Sequence, residues 1–432
     1  MNLTARSYTL AVFIVALGII GEWGPAIYAG LWKLPAAAVI ILLWLERHTA
    51  RRQPLSLRRE LPGQIFLGRA FQSRLVIHNA DVWGPQMELL DVLPAAIAED
   101  PELRRTRLAA GGEATVSWSL TPVEPGVLRL DAVRARVRGR FGFAWWPRNF
   151  SVPAETRIIP DRLHEHEFYL ASQQGGGETN RLATGSGQEL LGLRDYQPGD
   201  PLHRIDWKAT ARSGRTTVRL MTEDQHLEVV IAVDAGRTSA MQAGLMTRLG
   251  HYTNVAARLA EKALFNGDTV SLVNFSDRVI HVARQQRGHL GLRTLRARLE
   301  ELRPQRQESN PLTAVMEVRQ LIHHRSLVVF LTDLDDADGS GQLVQAVRML
   351  RPRHLPLVAS ILDDETLGMQ AMPARNWLDP YRSLAALETV QEWQHTRLQL
   401  EHLGVPVVMA SAERLDAAIL GSYDQLRARH RI

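Results

Sequence analysis

Five apolar runs of strand length, LEVVIAVD, DTVSLVNF, SLVVFLTD, PLVASIL and VPVVMAS, recur between Leu227 and Ser411. None alternates enough to leave one face in water, so each reads as a strand buried on both sides. Helical patterns lie between several of them: from Met241 to Phe265, Leu245, Leu249, Tyr252, Ala256, Leu259 and Ala263 form one stripe at helical spacing. Such alternation specifies a parallel sheet with helices on both faces, and ligands of these sheets bind beyond the carboxyl ends of the strands. Two of those ends carry aspartate. Asp234 closes the first run, in VDAGRTSAM, and Asp333 closes the third, with Asp335 and Asp336 behind it as solvated loop carboxylates. Hard oxygens at two strand ends, with hydroxyls from Thr238, Ser239 or Thr332 nearby, form the kind of donor set that magnesium takes.

Upstream the periodicity changes. Between Pro54 and Pro160, RAFQSRLVIHN, EATVSWSLTP, GVLRLDAVRARVRG and ETRIIP alternate apolar and polar residues, with Asn, Pro and Gly turns between them. This spacing predicts an antiparallel β-sandwich over 54–160, with Trp145 and Trp146 as core anchors. ASQQGGGETNRLATGSGQE, Ala171 to Glu189, is poor in apolar residues and makes 161–190 a flexible linker. Its glycine triplet is no phosphate loop, because no Gly-Lys-Ser/Thr follows, so no nucleotide is expected to bind directly.

Two further apolar runs, YTLAVFIVALGII (Tyr8–Ile20) and LPAAAVIILLWL (Leu34–Leu45), precede the sandwich. Each is shorter than the roughly 20 residues of a spanning helix. Extended to Trp23 and started near Ala26, they predict two transmembrane helices in a tight hairpin over 1–48, with Trp23 and Trp32 at an interface and Lys33 snorkelling. Arg47, Arg51, Arg52, Arg58 and Arg59 follow, against Lys33 alone in the hairpin turn, and the positive-inside rule then places the rest of the chain in the cytoplasm. A cleaved signal peptide is the rival reading, and it leaves the second run unexplained. This basic cluster is a better explanation of the formal charge of +5 and the pI near 9.8 than nucleic-acid binding. The 432 residues include no cysteine, which excludes disulfides, Cys-ligated zinc, iron–sulfur clusters and thiol nucleophiles.

LRDYQPGDPLHRIDWKATARSGR, Leu193 to Arg215, concentrates charges of both signs around Tyr196 and Trp207. Pro198 and Gly199 suit a type II turn, and Asp200 followed by Pro201 suits a helix start. Leu202, Ile205 and Ala209 then share a helix face and Gly214 can end the element, which predicts a capped helix of about three turns. His203, Arg204, Asp206, Lys208 and Arg212 lie on its other faces, joined by Arg194, Asp195 and Asp200 from the turn. Two readings stand: an ion network that locks the linker onto the α/β domain, or positive charge left free at Arg194, Arg204 and Lys208 for an acidic partner loop. Trp207 reads as an anchor. No activated serine accompanies His203 and Asp206, since TGSGQ around Ser186 lacks the nucleophile elbow, and HEHEF (His164–Phe168) lacks zinc-protease spacing. The chain is therefore not read as an enzyme. In LGLRTLRARLEELRPQRQ, Leu292, Leu295, Leu299 and Leu302 form an ordinary buried stripe, so nucleic acid is not expected as a partner.

The pairing of VDAGRTSAM with LTD resembles the metal-ion-dependent adhesion site of von Willebrand factor A domains. There an Asp-x-Ser-x-Ser loop, a Thr from a second loop and a late Asp hold a divalent cation that a partner's carboxylate completes. Residue by residue, Asp234 matches the first Asp, Thr238 the second hydroxyl and Asp333 the late Asp, while Ser309 in ESNPLTAV stands for the loop Thr. Gly236 falls where the first Ser should be, so one direct ligand is missing. GLRDYQPGDPLHRIDWKATAR, directly upstream, resembles the family called domain of unknown function 58. The likeness rests on Arg194, Tyr196, Gly199, Asp200, Arg204, Asp206, Trp207, Lys208 and Arg212.

The resemblance implies a multi-domain protein of the bacterial inner membrane. Its parts would be the transmembrane hairpin, the β-sandwich, the charged motif at 191–221 and an α/β von Willebrand factor A-like, Rossmann-type domain at 222–432. It also implies partnership with a MoxR-type AAA+ ATPase and associated membrane proteins in assembling or activating other complexes. Mg2+ at Asp234, Thr238, Ser309 and Asp333 is the cofactor it suggests. A metal-dependent hydrolase using the same carboxylates and a purely structural scaffold are the competing readings.

Overall fold

The computed structural model describes residues 2–23, 30, 32–163, 184–222, 227–334, 337–370 and 375–429. They divide into two compact units, Met1–Ile159 and Pro160–Ile432.

The first unit opens with helices α1 (Ala5–Trp23) and α2 (Lys33–Arg52). These do not form the transmembrane hairpin expected from the apolar runs: among the described residues no helix is long and apolar enough to cross a membrane. The reason lies in where the helices begin and end. α2 starts at Lys33 rather than near Ala26, so its apolar part is Leu34–Leu45, roughly 18 Å of helix against the roughly 30 Å of a hydrocarbon core. It then runs on through Glu46, Arg47, His48, Arg51 and Arg52. The turn expected at 24–29 lies outside the described residues. The positive-inside argument for a cytoplasmic placement rests on such spans, and none is found among the described residues.

Both helices are instead tied to a sheet of this unit. Asn2 and Leu3 pair with Trp145 and Ala144, and Thr4 Oγ1 donates to Gly142 O at 2.7 Å. Glu46 is fully buried and accepts the backbone N–H groups of Phe143 and Ala144, each at 3.1 Å. Trp146 packs with Ala50 and Ala144, which makes it the aromatic anchor of this contact.

Seven longer strands follow: β1 (Leu55–Glu60), β2 (Phe71–Asn79), β3 (Gln86–Asp91), β4 (Leu103–Arg107), β5 (Glu113–Leu120), β6 (Gly126–Arg138) and β7 (Ala144–Ile159). β7, β6, β3 and β4 lie side by side in one antiparallel sheet, and β1, β2 and β5 form a second. In β2 the buried set is Phe71, Ser73, Leu75, Ile77 and Asn79, the alternate residues that the sequence pattern selects. Arg59 of β1 and Asp91 of β3 join the two sheets through a bidentate pair at 2.6 and 2.7 Å, both side chains almost wholly buried.

The second unit begins with β8 (Thr184–Asp195), paired antiparallel with β9 (Thr217–Thr222). Thr184–Glu189, read above as linker, thus belong to a strand, while the glycine triplet and HEHEF lie outside the described residues. The central sheet contains β10 (Glu228–Asp234), β11 (Thr269–Phe275), β12 (Val279–Gln286), β13 (Leu327–Leu331), β14 (Leu355–Leu362) and β15 (Val407–Ser411). Its order is β12-β11-β10-β13-β14-β15, and every neighbouring pair is parallel except β11 with β12. Seven helices follow α3 (Trp207–Ser213) of the charged segment: α4 (Arg248–Phe265), α5 (Gly288–Glu300), α6 (Pro311–Leu321), α7 (Ala337–Leu350), α8 (Asp364–Gln370), α9 (Asp379–His402) and α10 (Leu415–Arg429). Val229, Ile231 and Val233 of β10 pack into the core with α4, α5 and α10, while Val230 and Ala232 pack into the core with α6, α7 and α9. A strand covered on both faces has no room for polar alternation, which is why its sequence is a continuous apolar run.

α4 starts later than its stripe suggests. Gln242–Ala243 and Met246–Thr247 pair across Gly244, whose φ of +70° favours glycine, and Leu245 at that turn is exposed. Thr247 then caps the helix by accepting from Gly250 N at 3.2 Å.

Asp91→Ala would leave the buried Arg59 guanidinium without its counter-charge. It is expected to destabilise the first unit by about 3–5 kcal/mol in denaturant unfolding, with Arg59→Met plus Asp91→Leu recovering most of the loss. An Asp91→Ala chain that unfolds like the wild type would contradict this role of the pair.

Candidate functional site

β10 and β13 are adjacent at the point where strand order reverses, so their carboxyl ends open into the crevice where sheets of this kind bind ligands. Asp234 is the last residue of β10, and Thr332 and Asp333 directly follow β13. A third segment is tied alongside. Gln305 N donates to Ala235 O at 2.7 Å and Arg237 N donates to Gln307 O at 2.8 Å, which carries the chain past Asp234 and delivers Ser309 beside it. Asn310 then caps α6 by accepting from Leu312 N at 3.1 Å, with Pro311 in the first turn.

Asp234 is buried and accepts hydrogen bonds from three different segments. Thr332 Oγ1 donates to Oδ2 at 2.5 Å, Gly236 N donates to Oδ1 at 2.8 Å, and Ser309 Oγ donates to the same Oδ1. Burial is the largest influence and pushes its carboxyl up to about 6, with the charge of Asp333 adding to the rise; the bonds from Ser309, Thr332 and Gly236 oppose it without cancelling it.

Asp333 is organised differently. Its Oδ1 accepts from Tyr252 OH at 2.6 Å and from Arg248 Nη1 at 3.2 Å, and both Arg248 and Tyr252 are buried. Tyr252 OH in turn accepts from Ile361 N at 3.3 Å. Burial, then the neighbouring Asp333 charge, raises the Tyr252 phenol well above its ordinary value, so it stays a donor. Asp333 Oδ2 is buried with no hydrogen-bond partner among the described residues.

Asp234, Asp333, Thr238, Ser309 and Thr332 line a cavity of about 20 Å³, room for one water-sized occupant. Arg237 and Glu308 stand at its edge. All four predicted metal residues, Asp234, Thr238, Ser309 and Asp333, are therefore brought together. Asp335 and Asp336 lie outside the described residues.

Gly236 has a physical explanation. A Cβ there would lie 2.0 Å from Ser309 Oγ and 3.2 Å from Asp234 Oδ1. The hydroxyl that a serine at this position would supply is already supplied by Ser309, from another loop, in the same space. Glycine is the residue that lets Ser309 reach Asp234.

Thr332, one of the nearby hydroxyls named from the sequence, thus belongs to the site, whereas two other contributors are not legible there. Tyr252 reads only as one of the helical stripe, although a buried tyrosine generally needs a partner for its hydroxyl. Arg248, at the start of α4, carries no signal in the sequence that would place it under Asp333. Among the described residues there is no group of three or more His, Cys, Asp or Glu able to hold a metal. Any cation here would rely on two carboxylates, hydroxyls and water, a set that suits magnesium better than zinc.

The charged segment forms a separate structure between β8 and β9. Arg194 grips Asp200 with two bonds, 2.6 and 2.7 Å, and Asp200 also accepts from Gln197 N at 2.9 Å, closing the turn that contains Gly199 at φ +108°. The bond from Arg194 is the main reason that Asp200 titrates below the usual carboxylate range. The three-turn helix is not formed. Leu202–Arg204 make one 3-10 turn, Ile205 is extended and bridges to Val218, and Asp206 caps a new helix, α3, by accepting from Lys208 N and Ala209 N at 3.0 Å. The break follows from Ile205, which is buried against the strand while Leu202 is exposed. Gly214 ends α3 at φ +68°. Tyr196 is half-buried and its N–H donates to Thr216 O at 2.8 Å. Trp207 is exposed rather than an anchor.

The second unit thus combines an α/β sheet, whose switch point gathers polar groups, with this charged module. A family model described as "Protein of unknown function DUF58" matches residues 192–375, so the chain carries a domain of that family across the charged segment and the strand-end site. The uncharacterized proteins Rv1480 of Mycobacterium tuberculosis and Mb1516 of Mycobacterium bovis are each 43% identical to it over 58 residues, 13% of this chain and 18% of the relative. The matched stretch is thus under a fifth of those relatives' length. Two structures of the CARDB domain of the PF1109 protein from Pyrococcus furiosus also match. The crystal structure, in complex with di-metal ions, is 13% identical over 24% of this chain and 93% of that chain, with a TM-score of 0.19. The solution structure is 14% identical over 23% and 93%, with a TM-score of 0.15.

Gly236→Ala is expected to push Ser309 off Asp234 and destabilise the second unit by about 1–3 kcal/mol. Adding Ser309→Gly should return at least half of that loss in a double-mutant cycle. Strictly additive effects would show that the two residues do not compete for the same space.

Proposed function

We propose that the second unit is a protein-interaction module of the von Willebrand factor A kind, whose strand-end cleft holds a divalent cation and offers it to a carboxylate of a partner protein. The observation that carries this reading is Asp333 Oδ2, a buried carboxylate oxygen with no partner among the described residues, beside a second buried carboxylate and three hydroxyls. Such an oxygen is costly to bury unless something binds it.

Ser309, Thr238 and Asp333 would hold the ion, with Asp234 acting through the hydroxyls it already anchors. Magnesium suits the site because it accepts one or two carboxylates and keeps its remaining waters. Arg248 neutralises one of the two carboxylates, so a bound divalent ion leaves the cleft with a surplus of positive charge. That surplus is what attracts an incoming carboxylate. The likeness to the domain-58 family supports a MoxR-type AAA+ ATPase, or a client of one, as the source of that carboxylate.

Two measurements test the reading. Calorimetric titration with magnesium should show affinity rising with pH up to about 6 and levelling above it, because a cation beside Asp234 disfavours the proton that burial favours on its carboxyl. In the metal-free chain the sign runs the other way. A carboxyl raised from 3.8 to about 6 gives most stability below pH 4 and loses it as pH rises through 6, by about 3 kcal/mol, an effect that Asp234→Asn removes. Binding to a purified MoxR-type ATPase should weaken with Asp234→Ala and with chelator. Equal binding in all four combinations of variant and chelator would overturn the cation-dependent reading.

A further inference from the structure

The module between β8 and β9 has an outer face that its internal ion pairs do not account for. Each aspartate in it is already engaged: Asp200 with Arg194 at 2.6 Å, Asp206 with Arg219 at 2.9 Å and Asp195 with Arg215 at 3.8 Å. Arg204, Lys208 and Arg212 form no ion pair among the described residues, and Arg204 acts on Asp200 only through space. Lys208 and Arg212 lie four apart on α3, which puts them on one face. Trp207 and Leu202 are 70% and 71% exposed. A tryptophan kept for packing would be buried, and here Ile205 and Val218 fill that role at 7% and 2% exposure.

The backbone beneath this face is fixed. Asp206 caps α3, Asp206 N donates to Thr217 O at 2.9 Å, and Gly214 closes the helix. An exposed aromatic beside unpaired cations, on elements held this firmly, has the composition of an interface hot spot.

We propose that this face docks an acidic segment of a partner protein, with carboxylates of the segment meeting Arg204, Lys208 and Arg212 and an apolar side chain lying on Trp207. A protein segment fits better than nucleic acid. The free cations are few, and the exposed carboxylate of Asp195 belongs to the same module, whereas a continuous phosphate backbone calls for a longer run of positive charge. None of these residues lines the strand-end cleft, and the proposal needs no cation there.

The test uses the full chain and three dye-labelled probes read by fluorescence anisotropy: a peptide of repeating Glu-Glu-Leu, the same peptide with Gln for Glu, and a single-stranded oligonucleotide of similar length. The Glu peptide is expected to bind saturably and to weaken as salt rises. Arg204→Ala with Lys208→Ala, and separately Trp207→Ala, should each weaken it about tenfold. These positions are exposed or half-exposed, and an unchanged melting curve confirms that the variants fold. Binding of the Glu peptide that is absent, that equals binding of the Gln peptide, or that survives the variants overturns the proposal. So does tighter binding of the oligonucleotide than of the Glu peptide.

Discussion

A carboxylate shut away from water has to be answered by the groups around it, and Asp234 imposes that demand on the second unit. It stands at the end of the central strand, with apolar neighbours on both faces of the sheet behind it. Only the segments at the strand ends can answer it. Thr332 comes from the next strand, Gly236 from the turn that follows, and Ser309 from a loop stitched alongside. The cleft exists because these three segments converge on one charge. Asp333, held from below by Arg248 and Tyr252, completes it with an oxygen that no group among the described residues satisfies.

Much of this was legible in the sequence for a simple reason. Strands buried on both faces have to be apolar throughout, so Asp234 and Asp333 stand out as the first polar residues after such runs. The alternation of Phe71–Asn79 likewise identified its buried face. Gly236 was legible as a departure from a pattern but not as a solution, because nothing in a linear sequence says that Ser309 occupies the space a side chain would need. Arg248 was invisible for the same reason: its partner is distant in sequence and its burial depends on how α4 is capped.

The errors also have physical causes. Two membrane spans require the apolar runs near the N-terminus to extend into the turn between them, whereas α2 begins at Lys33 and Glu46 binds two backbone amides of the sheet. In the charged segment, helical spacing of Leu202, Ile205 and Ala209 suggested one helix. Pairing of Ile205 with Val218 takes precedence over that spacing and divides the segment into a 3-10 turn and a capped helix. The division is what turns Trp207 outward.

The two carboxylates and the hydroxyls around them make sense together if they share an ion, and diffraction can decide this directly. In crystals of the full chain grown with manganese as an anomalous stand-in for magnesium, a peak is expected in the cleft about 2.1–2.2 Å from Ser309 Oγ and Asp333 Oδ2. A cleft without an anomalous peak, with the bonds to Asp234 intact and water on Asp333 Oδ2, would contradict it.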